Sequence, residues 1–350
     1  QNPIALFGIT DSTDKTVEER SKRRMSSEWS DYDAFKSTLP TELVEAAEKG
    51  PEFVSGKTFD SRNPDTVGGE KLKAGQVRWG GVDDCAACAM YPDFSDYNYT
   101  NHPTDFDWRD LGAVSDVKNQ KYCGSCYSFS TAQNIEGVHF LATGNLTTFS
   151  EQQIVACDFL NDGCDGGYMY RAMQYIADFG GLVSEDAYPY KAVMMDYKLG
   201  TPHCDTDLLN EKLEGDGSNI GHISSYQWVA MGAEFENLMK IFLLKNGPLA
   251  LAVNANGMDY YVHGITGCKT IAGWEYCDAG AIDTTTPCDP TELDHGVLAV
   301  GYGNQEGSEY WVIKNSWGPQ WGEDGYYRLE RGTDHCGVAN MVTHGVYKPT

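Results

Sequence analysis

Apolar residues recur at intervals of three along one stretch of the chain, and this spacing is that of one face of a helix. The members of the series are Phe129, Ala132, Ile135 and Val138. A glycine such as Gly144 typically ends a helix. The pattern therefore predicts a helix that begins at Ser125-Cys126 and ends before Gly144.

Two further helices follow this one. Ser150-Glu-Gln-Gln forms a capping box, so we expect a helix to begin at Ser150, with the Gln153 side chain reaching back to the helix start. A third helix is predicted from about Tyr168 to Phe179, because Gly180-Gly181 would end it.

Beyond residue 220 the pattern changes to short apolar or alternating runs bounded by Gly, Asn and Pro, which is typical of strands. The runs are Pro248–Asn254, Gly296–Tyr302, Glu309–Lys314 and Gly325–Leu329. This order predicts a helical half, about residues 104–220, and then a β-rich half, about residues 221–350. A cleft between two such halves is a natural site for chemistry.

The chain changes character near residue 104. Before it lie charge-rich, helix-forming stretches, Thr16–Lys36 and Thr41–Lys49, and then a run rich in Gly and Asp that ends at Pro103. Residues 1–103 are therefore predicted to form a separate, partly helical segment ahead of a domain that spans residues 104–350.

The charge of the chain is strongly negative, with 51 acidic and 26 basic residues and a net charge of −25. Such a surface repels a phosphate backbone, which argues against a nucleic-acid partner. No apolar run approaches the roughly 18–20 residues that a membrane span needs. Much of the charge would be neutralised near about pH 4–5, which suits an acidic compartment.

Eleven cysteines in one chain indicate disulfides and an oxidising compartment, and the odd number leaves at least one thiol unpaired. The sequons Asn98-Tyr-Thr and Asn145-Leu-Thr agree with a secretory route to an extracellular, lysosomal or vacuolar location.

The C-x-x-C at 123–126 has three readings: a redox pair, half of a zinc site, or one structural cysteine beside one reactive cysteine. Cys126 is predicted at a helix N-terminus, where the helix dipole favours a thiolate, and Cys123 lies in the loop before it. A reactive thiol needs a base and a group that orients the base. His295 lies at the start of one predicted strand, and Asn315 lies at the end of the next.

Cys-Gly-Ser-Cys-Tyr at 123–127 fits the signature of the papain/cathepsin family. Seven more motifs resemble this family, in family order: Phe106-Asp-Trp-Arg, Gly112-Ala-Val-Ser-Asp-Val-Lys-Asn-Gln, Ser150-Glu-Gln-Gln, Gly163-Cys-Asp-Gly-Gly, Asp294-His-Gly-Val, Lys314-Asn-Ser-Trp-Gly and His335-Cys-Gly-Val-Ala. The sequence is most similar to cathepsin L-like members. This resemblance implies an α+β fold of two domains, a helical left domain and a β-barrel-like right domain, with the active-site cleft between them.

The resemblance also implies the role of each residue in a cysteine endopeptidase. Cys126 would be the nucleophile, His295 the general base and then acid, and Asn315 the group that orients His295. Gln120 would stabilise the oxyanion together with the Cys126 backbone N–H. Trp317 would shield the Asn–His contact from water. No cofactor or metal is implied.

The family pattern suggests the disulfides Cys123–Cys164, Cys157–Cys204 and Cys288–Cys336. Cys268 and Cys277 then remain in an extra loop, and Cys85 and Cys88 remain in the leading segment. Pairing each couple leaves Cys126 as the unpaired thiol. Half of a zinc site is the alternative for Cys85 and Cys88.

By the same resemblance, an extended protein or peptide substrate would pair with backbone groups of Gly166 and Gly167, and Gly124 would be a further substrate-binding residue. The pocket for the second residue before the scissile bond would be formed by Met169, Ala252, Leu293, Gly296 and Met341. These positions are apolar or offer only backbone, so we expect a preference for Leu, Phe or Val over Arg.

Three features depart from the family pattern. Tyr127 stands where the family usually has tryptophan. His295 lies 169 residues after Cys126, which exceeds the roughly 130–150 of the family, and extra residues in 190–221 and 264–287 can account for the excess. The second of these loops directly precedes His295, so an overhang that restricts the cleft, as in an exopeptidase, is a further hypothesis.

The third departure concerns residues 1–103, where only Glu19 and Arg23 keep the spacing of the family's interlocking propeptide pattern. An atypical propeptide that inhibits its own enzyme, and hence a latent zymogen, is still the interpretation we favour. A secreted binding protein on the same scaffold and a transpeptidase or ligase that uses the same acyl-enzyme are the alternatives.

Overall fold

The computed structural model describes residues 103–192, 204–214, 220–267 and 288–348. It adds the backbone of short strands at 6–7, 195–196, 201–202, 268–271 and 274–277. The helices predicted at Thr16–Lys36 and Thr41–Lys49 lie outside the described residues. In the part of the chain that is described, no helix is long and apolar enough to cross a membrane.

The described residues form five α-helices: α1 Cys126–Thr143, α2 Glu151–Cys157, α3 Met169–Phe179, α4 Thr206–Leu213 and α5 Glu236–Asn246. The predicted bounds of α1 and α3 are confirmed. Gly144 and Gly180 end them in the left-handed conformation, with φ of 79° and 102°, which glycine adopts without steric cost. Every residue of α1 from Cys126 to Ala142 is buried, so α1 is the central helix of the fold.

Helix α2 begins where predicted, but its cap differs from the expected box. Ser150 Oγ accepts a hydrogen bond of 3.0 Å from Gln153 N. The Gln153 side chain does not return to the helix start, and instead bonds Gly181 O at 3.0 Å and Val183 N at 2.8 Å. The glutamine is therefore used to tie α2 to the turn after α3, a tertiary contact that outweighs the local one.

The strands, in chain order, are β1 Leu6–Phe7, β2 Phe106–Asp107, β3 Leu182–Val183, β4 Met195–Asp196, β5 Thr201–Pro202, β6 Ile220–Gly221, β7 Ile223–Ala230, β8 Leu249–Val253, β9 Tyr261–His263, β10 Ile265–Thr266, β11 Cys268–Ile271, β12 Trp274–Cys277, β13 His295–Gln305, β14 Ser308–Lys314, β15 Tyr326–Glu330 and β16 Val342–Tyr347. The four predicted strands correspond to β8, β13, β14 and β15. Strands β7 and β16 were not predicted.

One sheet carries half of these strands, in the order β10-β15-β14-β13-β8-β16-β7, and β2 also pairs with β13. His295 opens β13 opposite Val253, and Lys314 ends β14 opposite Leu298. The two strand ends that carry His295 and Asn315 are thus brought to the same side of the sheet. Helix α1 packs against β13 and β8 at this place.

A buried ionic network connects the helices to the sheet. Lys118 Nζ lies 2.7 Å from Glu136 Oε1 on α1 and 2.6 Å from Glu151 Oε1 on α2. Ser115 Oγ donates to Glu136 Oε2 and accepts a bond of 3.0 Å from Lys314 Nζ at the end of β14. Since buried charges are stable only when paired, the network fixes how these four segments meet.

Burial changes the protonation of this network. It raises the pKa of Glu151 to about 7, against the opposing charge of Lys118 and with the support of Glu136 and Glu185. It lowers the pKa of Lys314 to about 8, although Glu136 acts in the opposite direction. Burial also acts to lower the pKa of Lys118, but the carboxylates of Glu136 and Glu151 outweigh it and raise that pKa.

The Glu151 carboxyl should make the stability of the fold depend on pH. Because its pKa is about 7 in the folded protein and 4.5 ordinarily, the folded state holds more protons between these values, and stability falls as pH rises through them. Glu151→Gln keeps the shape but cannot ionise. We expect the melting temperature of this variant, relative to the wild type, to rise from about pH 5 to about pH 7.5.

The matched control is Glu211→Gln, because Glu211 is an exposed carboxylate paired only with Lys212 on the surface. In thermal melts at several pH values, the difference in melting temperature between this control and the wild type should not depend on pH. A constant difference between Glu151→Gln and the wild type across the range would contradict the prediction.

Candidate active site

Cys126 is the first residue of α1 and the one free cysteine among the described residues. Its side chain is 0% exposed. Ser125, the N-cap residue, makes no side-chain cap bond to the first turn. The sulfur therefore lies at a helix N-terminus, where the backbone N–H groups and the dipole favour an anion.

A disulfide fixes the loop that leads to Cys126. Cys123 is bonded to Cys164, and Gly124 N donates to Cys164 O at 2.8 Å. Cys164 belongs to the short 3-10 turn Gly163–Asp165, which precedes Gly166. The two chain segments that the sequence singled out, one at the thiol and one at the glycine pair, are thus joined by a covalent bond and a backbone hydrogen bond.

His295 is oriented by Asn315. His295 Nε2 lies 2.8 Å from Asn315 Oδ1, and Ser316 N donates to the same oxygen at 2.8 Å. An amide oxygen only accepts, so His295 Nε2 carries the hydrogen of this bond. Nδ1 is then the ring nitrogen that can exchange a proton with a neighbouring group.

Trp317 covers the His295–Asn315 pair. The ring centroids of Trp317 and His295 are 4.9 Å apart, with an angle of 34° between the planes. Trp317 in turn packs edge-on against Trp321 at 5.2 Å. His295, Asn315 and Trp317 are each at most 1% exposed, so the hydrogen bond between imidazole and amide is kept from water.

Gly296 allows strand β13, which carries His295, to pack closely against helix α1, which carries Cys126. A Cβ at position 296 would lie 3.2 Å from Cys126 O and 3.1 Å from Tyr127 N, closer than side chains normally approach. Ser130 Oγ also donates to Val297 O at 2.7 Å, which ties the next turn of α1 to β13. Glycine at 296 thus lets the residue next to His295 touch the residue that carries the sulfur.

The electrostatics of the thiol are balanced between opposing effects. Burial raises the pKa of Cys126 to about 12, and backbone N–H groups of Gly296 and Tyr127 act to lower it. The nearby Asp294 carboxylate raises it further. A thiolate at neutral pH therefore requires a positive partner near the sulfur.

Gln120 lies beside the loop that carries the thiol. Its Nε2 donates to Cys123 O at 3.0 Å, and its Oε1 accepts from Ser316 Oγ at 2.6 Å. Ser316 thus determines which end of the amide faces the loop at 123–126. The sequence contained Ser316 within the Lys-Asn-Ser-Trp-Gly motif, but a serine in a motif gives no sign that it orients a side chain 196 residues away.

The glycine pair holds an extended segment near the thiol loop. Gly166 has φ 127° and ψ 178°, a conformation open to glycine alone, and its carbonyl accepts from Asp162 N at 2.9 Å. A Cβ at Gly167 would collide with the Asn161 side chain at 2.6 Å. Both glycines are therefore required by the local backbone.

Four of the five predicted pocket residues lie in one apolar core cluster: Met169, Ala252, Leu293 and Met341. The fifth, Gly296, is the strand partner of Ala252, and Ala252 N donates to Met341 O at 3.0 Å. Met169 starts α3 on the helical side. Gly296, Ala252 and Met341 are thus joined through the main chain near the start of β13, and none of the five predicted positions carries a charge.

Two further disulfides, Cys157–Cys204 and Cys288–Cys336, match the pairs that the resemblance suggested. Cys268 and Cys277 are opposite each other in the β11–β12 hairpin, but their side chains lie outside the described residues. Cys85, Cys88 and Asn98 also lie outside them. Asn145 is exposed, as a glycan acceptor must be.

The described residues contain one group with the spacing of metal ligands, Cys288, His335 and Cys336. The two sulfurs of this group are bonded to each other. Cysteine binds zinc as a thiolate, so the group as it stands is a disulfide beside a histidine.

Tyr127, the residue that departs from the family pattern, is completely buried behind the thiol. Its hydroxyl donates to Gly163 O at 3.1 Å. The tyrosine thus keeps an aromatic body at this position and binds the 3-10 turn that holds Cys164. Tyrosine at this position therefore keeps a buried aromatic ring next to Cys126.

Comparisons with known proteins agree with this geometry. The sequence profile of the papain family cysteine proteases matches residues 102–346. The chain is 40% identical over 250 residues to cathepsin F of Drosophila melanogaster. This alignment covers 70% of this chain and 36% of that protein. The chain is also 40% identical over 248 residues to a cathepsin L-like peptidase of Aedes aegypti. That alignment covers 69% of this chain and 63% of the peptidase.

Among solved structures, the bromelain protease of Ananas comosus in complex with the E64 inhibitor has a TM-score of 0.56 and 32% identity. The match covers 71% of this chain and all of the bromelain chain. This likeness confirms the α+β papain-like fold. On the family profile, the identity to these relatives and the shared fold, the chain belongs to the papain family of cysteine proteases.

Proposed function

We propose that the chain is a cysteine endopeptidase that hydrolyses peptide bonds through an acyl-enzyme on Cys126. The observation that carries this proposal is the arrangement of three groups. A free thiol starts a helix, Gly296 holds the base-carrying strand against that thiol, and Asn315 orients His295 at 2.8 Å. These are a nucleophile, a base and an orienting group in the order that acyl transfer requires.

The reaction begins when His295 Nδ1 takes the thiol proton and the Cys126 sulfur attacks the carbonyl carbon of the scissile peptide bond. The oxygen of the tetrahedral intermediate accepts hydrogen bonds from the Cys126 backbone N–H and from Gln120 Nε2. The imidazolium gives its proton to the leaving amine, and the C–N bond breaks. Water, deprotonated by His295, then attacks the thioester and releases the acid with the thiol.

Removing the imidazole should abolish thiolate formation near neutral pH. In His295→Ala, no imidazolium would offset burial, which raises the pKa of the Cys126 thiol. We expect the rate of alkylation by iodoacetamide at about pH 6 to fall more than about hundredfold relative to the wild type, because only the thiolate reacts. The second-order rate constant of alkylation is measured as a function of pH. The wild type should show a plateau at acidic pH, and the variant should lack it.

Cys126→Ala is the control, and it should bind no E64, the inhibitor present in the bromelain complex. Wild-type enzyme that is neither alkylated at acidic pH nor labelled by E64 after activation would contradict the proposal. That outcome would instead favour a binding protein on this scaffold.

We propose further that an apolar side chain occupies the pocket around the start of β13. Ala252 and Met341 are joined through their backbones, Leu293 is 1% exposed beside them, and no titratable group is among the five pocket residues. An unpaired guanidinium would lose its hydration there without gaining a partner. Leu, Phe and Val should therefore be preferred over Arg at the second residue before the scissile bond.

A library of fluorogenic peptides that differ at this residue tests the preference. We expect kcat/KM for Leu or Phe to exceed that for Arg by roughly tenfold or more. Met341→Glu should raise the relative rate for Arg by placing a carboxylate in the pocket, and Met341→Leu should not. Equal rates for Leu and Arg in the wild type would overturn the assignment.

We propose that residues 1–103 act as an inhibitory propeptide of the same chain. Two observations support this: the family profile begins only at residue 102, and strand β1 at 6–7 pairs with β9 of the peptidase domain. The three disulfides and the exposed Asn145 support a secretory route to an extracellular or lysosomal location.

Acid should start the removal of this segment. Carboxylates that hold it by ionic contacts have a lowered pKa while it is docked, so docking weakens as pH falls through that pKa. We expect mass spectrometry after incubation at about pH 4–5 to show cleavage between about residues 99 and 105, with a gain of peptidase activity. Cys126→Ala should stay intact under the same conditions. Full activity of the uncleaved chain at neutral pH would contradict latency.

A further inference from the structure

Tyr190 touches the loop that carries the thiol from outside the residues assigned so far. Its hydroxyl donates to Gln120 O at 2.8 Å and lies 2.7 Å from Ser125 Oγ. A tyrosine hydroxyl has one hydrogen, so Ser125 Oγ is the donor in the second contact. The bonds form a short chain from Ser125 through Tyr190 to Gln120.

The rest of Tyr190 is held in place independently of these two bonds. Its backbone N donates to Glu185 Oε1 at 2.7 Å. Its ring packs edge-on against Phe129 of α1, with centroids 4.8 Å apart. The position of the hydroxyl oxygen is therefore set by the helical half of the molecule and not by the loop that it touches.

The Ser125 hydroxyl makes this contact and no local helix cap. Serine at an N-cap usually accepts a bond from the first turn of its helix, yet Ser125 makes no such bond here. Its hydroxyl is directed to Tyr190 instead. The start of α1, and with it the backbone N–H of Cys126, is thus held by a residue 65 positions away.

We propose that Tyr190 is a positioning residue for the peptidase reaction, and this inference rests on the proposed function. The two donors of the oxyanion site belong to Gln120 and Cys126, one at each end of the loop at 120–126. Tyr190 holds the Gln120 backbone and the residue before Cys126 with a single oxygen. It thereby sets the separation of the two donors, without touching the substrate itself.

The proposal assigns a specific kinetic effect to the loss of this oxygen. Loss of one oxyanion donor costs about a hundredfold to a thousandfold in kcat, and small misplacements of catalytic groups cost less. Tyr190→Phe keeps the ring against Phe129 and removes only the hydroxyl. We expect kcat per active site to fall about tenfold, with KM changed less than about twofold.

A second measurement separates positioning from general damage to the site. The thiolate depends chiefly on His295, and the one oxyanion donor that also acts on the sulfur, the Cys126 backbone N–H, has a small effect. The rate of iodoacetamide alkylation against pH should therefore be unchanged in Tyr190→Phe. Active sites are counted by E64 titration, so that kcat refers only to competent enzyme, and thermal melts report on the fold.

Tyr188→Phe is the matched control, since it removes the same atom two residues earlier. The Tyr188 hydroxyl accepts from Asp205 N at 3.4 Å, on the side of α4. This variant should keep the wild-type kcat. A substitution of Tyr190 by alanine is less informative, because Tyr190 and Phe129 also line a cavity of about 530 Å³ that the truncation would enlarge.

Ser125→Ala provides an independent variant should Tyr190→Phe prove unstable. It breaks the link at the α1 end and keeps the aromatic ring, so a smaller fall in kcat is expected with the same alkylation profile. Wild-type kcat in both variants would overturn this proposal alone, as would an equal fall in kcat and in alkylation rate. Wild-type enzyme that takes up no E64 and hydrolyses no peptide would overturn the proposed function and this inference with it.

Discussion

The close approach of Gly296 to Cys126 is the contact on which the arrangement of the site depends. The thiol and the imidazole belong to different halves of the chain, and neither half could align them alone. A side chain at 296 would meet the backbone of Cys126 at 3.2 Å and push β13 away from α1. With glycine there, the strand that carries the imidazole packs against the helix that carries the thiol through main-chain contacts, which are far stiffer than contacts between rotatable side chains.

The cost of this arrangement is the burial of polar and charged groups, and hydrogen bonds within the site offset part of that cost. Asn315 is bonded to His295 and to Ser316, and Gln120 to Ser316 and to Cys123. Behind them, the network of Lys118, Glu136 and Glu151 joins the helices to the segment that leads into Gln120. Lone buried polar groups would cost more than the same groups in a connected set, so the site is stabilised as a unit and not residue by residue.

The sequence predicted those parts of the structure that depend on local pattern. Helix α1 and its glycine end follow from apolar spacing and from the conformational freedom of Gly144. The strands that carry His295 and Asn315 follow from short apolar runs. The catalytic assignments came from motifs, since spacing alone cannot show that residues 169 positions apart meet.

The sequence did not predict the side-chain contacts that join distant segments of the chain. Gln153 was expected to complete a local capping box, but it bonds the turn after α3, because the buried backbone groups there need a partner. Ser316 and Tyr190 have no periodicity or composition that marks them. Each acts through one hydroxyl on a residue that lies far away in the chain, and such a contact becomes visible only when the fold is complete.

The long separation of thiol and imidazole is accommodated because the extra residues lie between fixed points. At the start of the second insertion, β10 pairs with β15, and after the insertion the chain returns at Cys288, which is bonded to Cys336. The first insertion is bounded in the same way, by Tyr190 on one side and by the Cys157–Cys204 disulfide within it. Loop length adds to the entropy of closure only slowly, so anchored insertions of this kind cost little stability. The register of β13, and with it the position of His295, is therefore set by its neighbours in the sheet and not by the length of chain that leads to it.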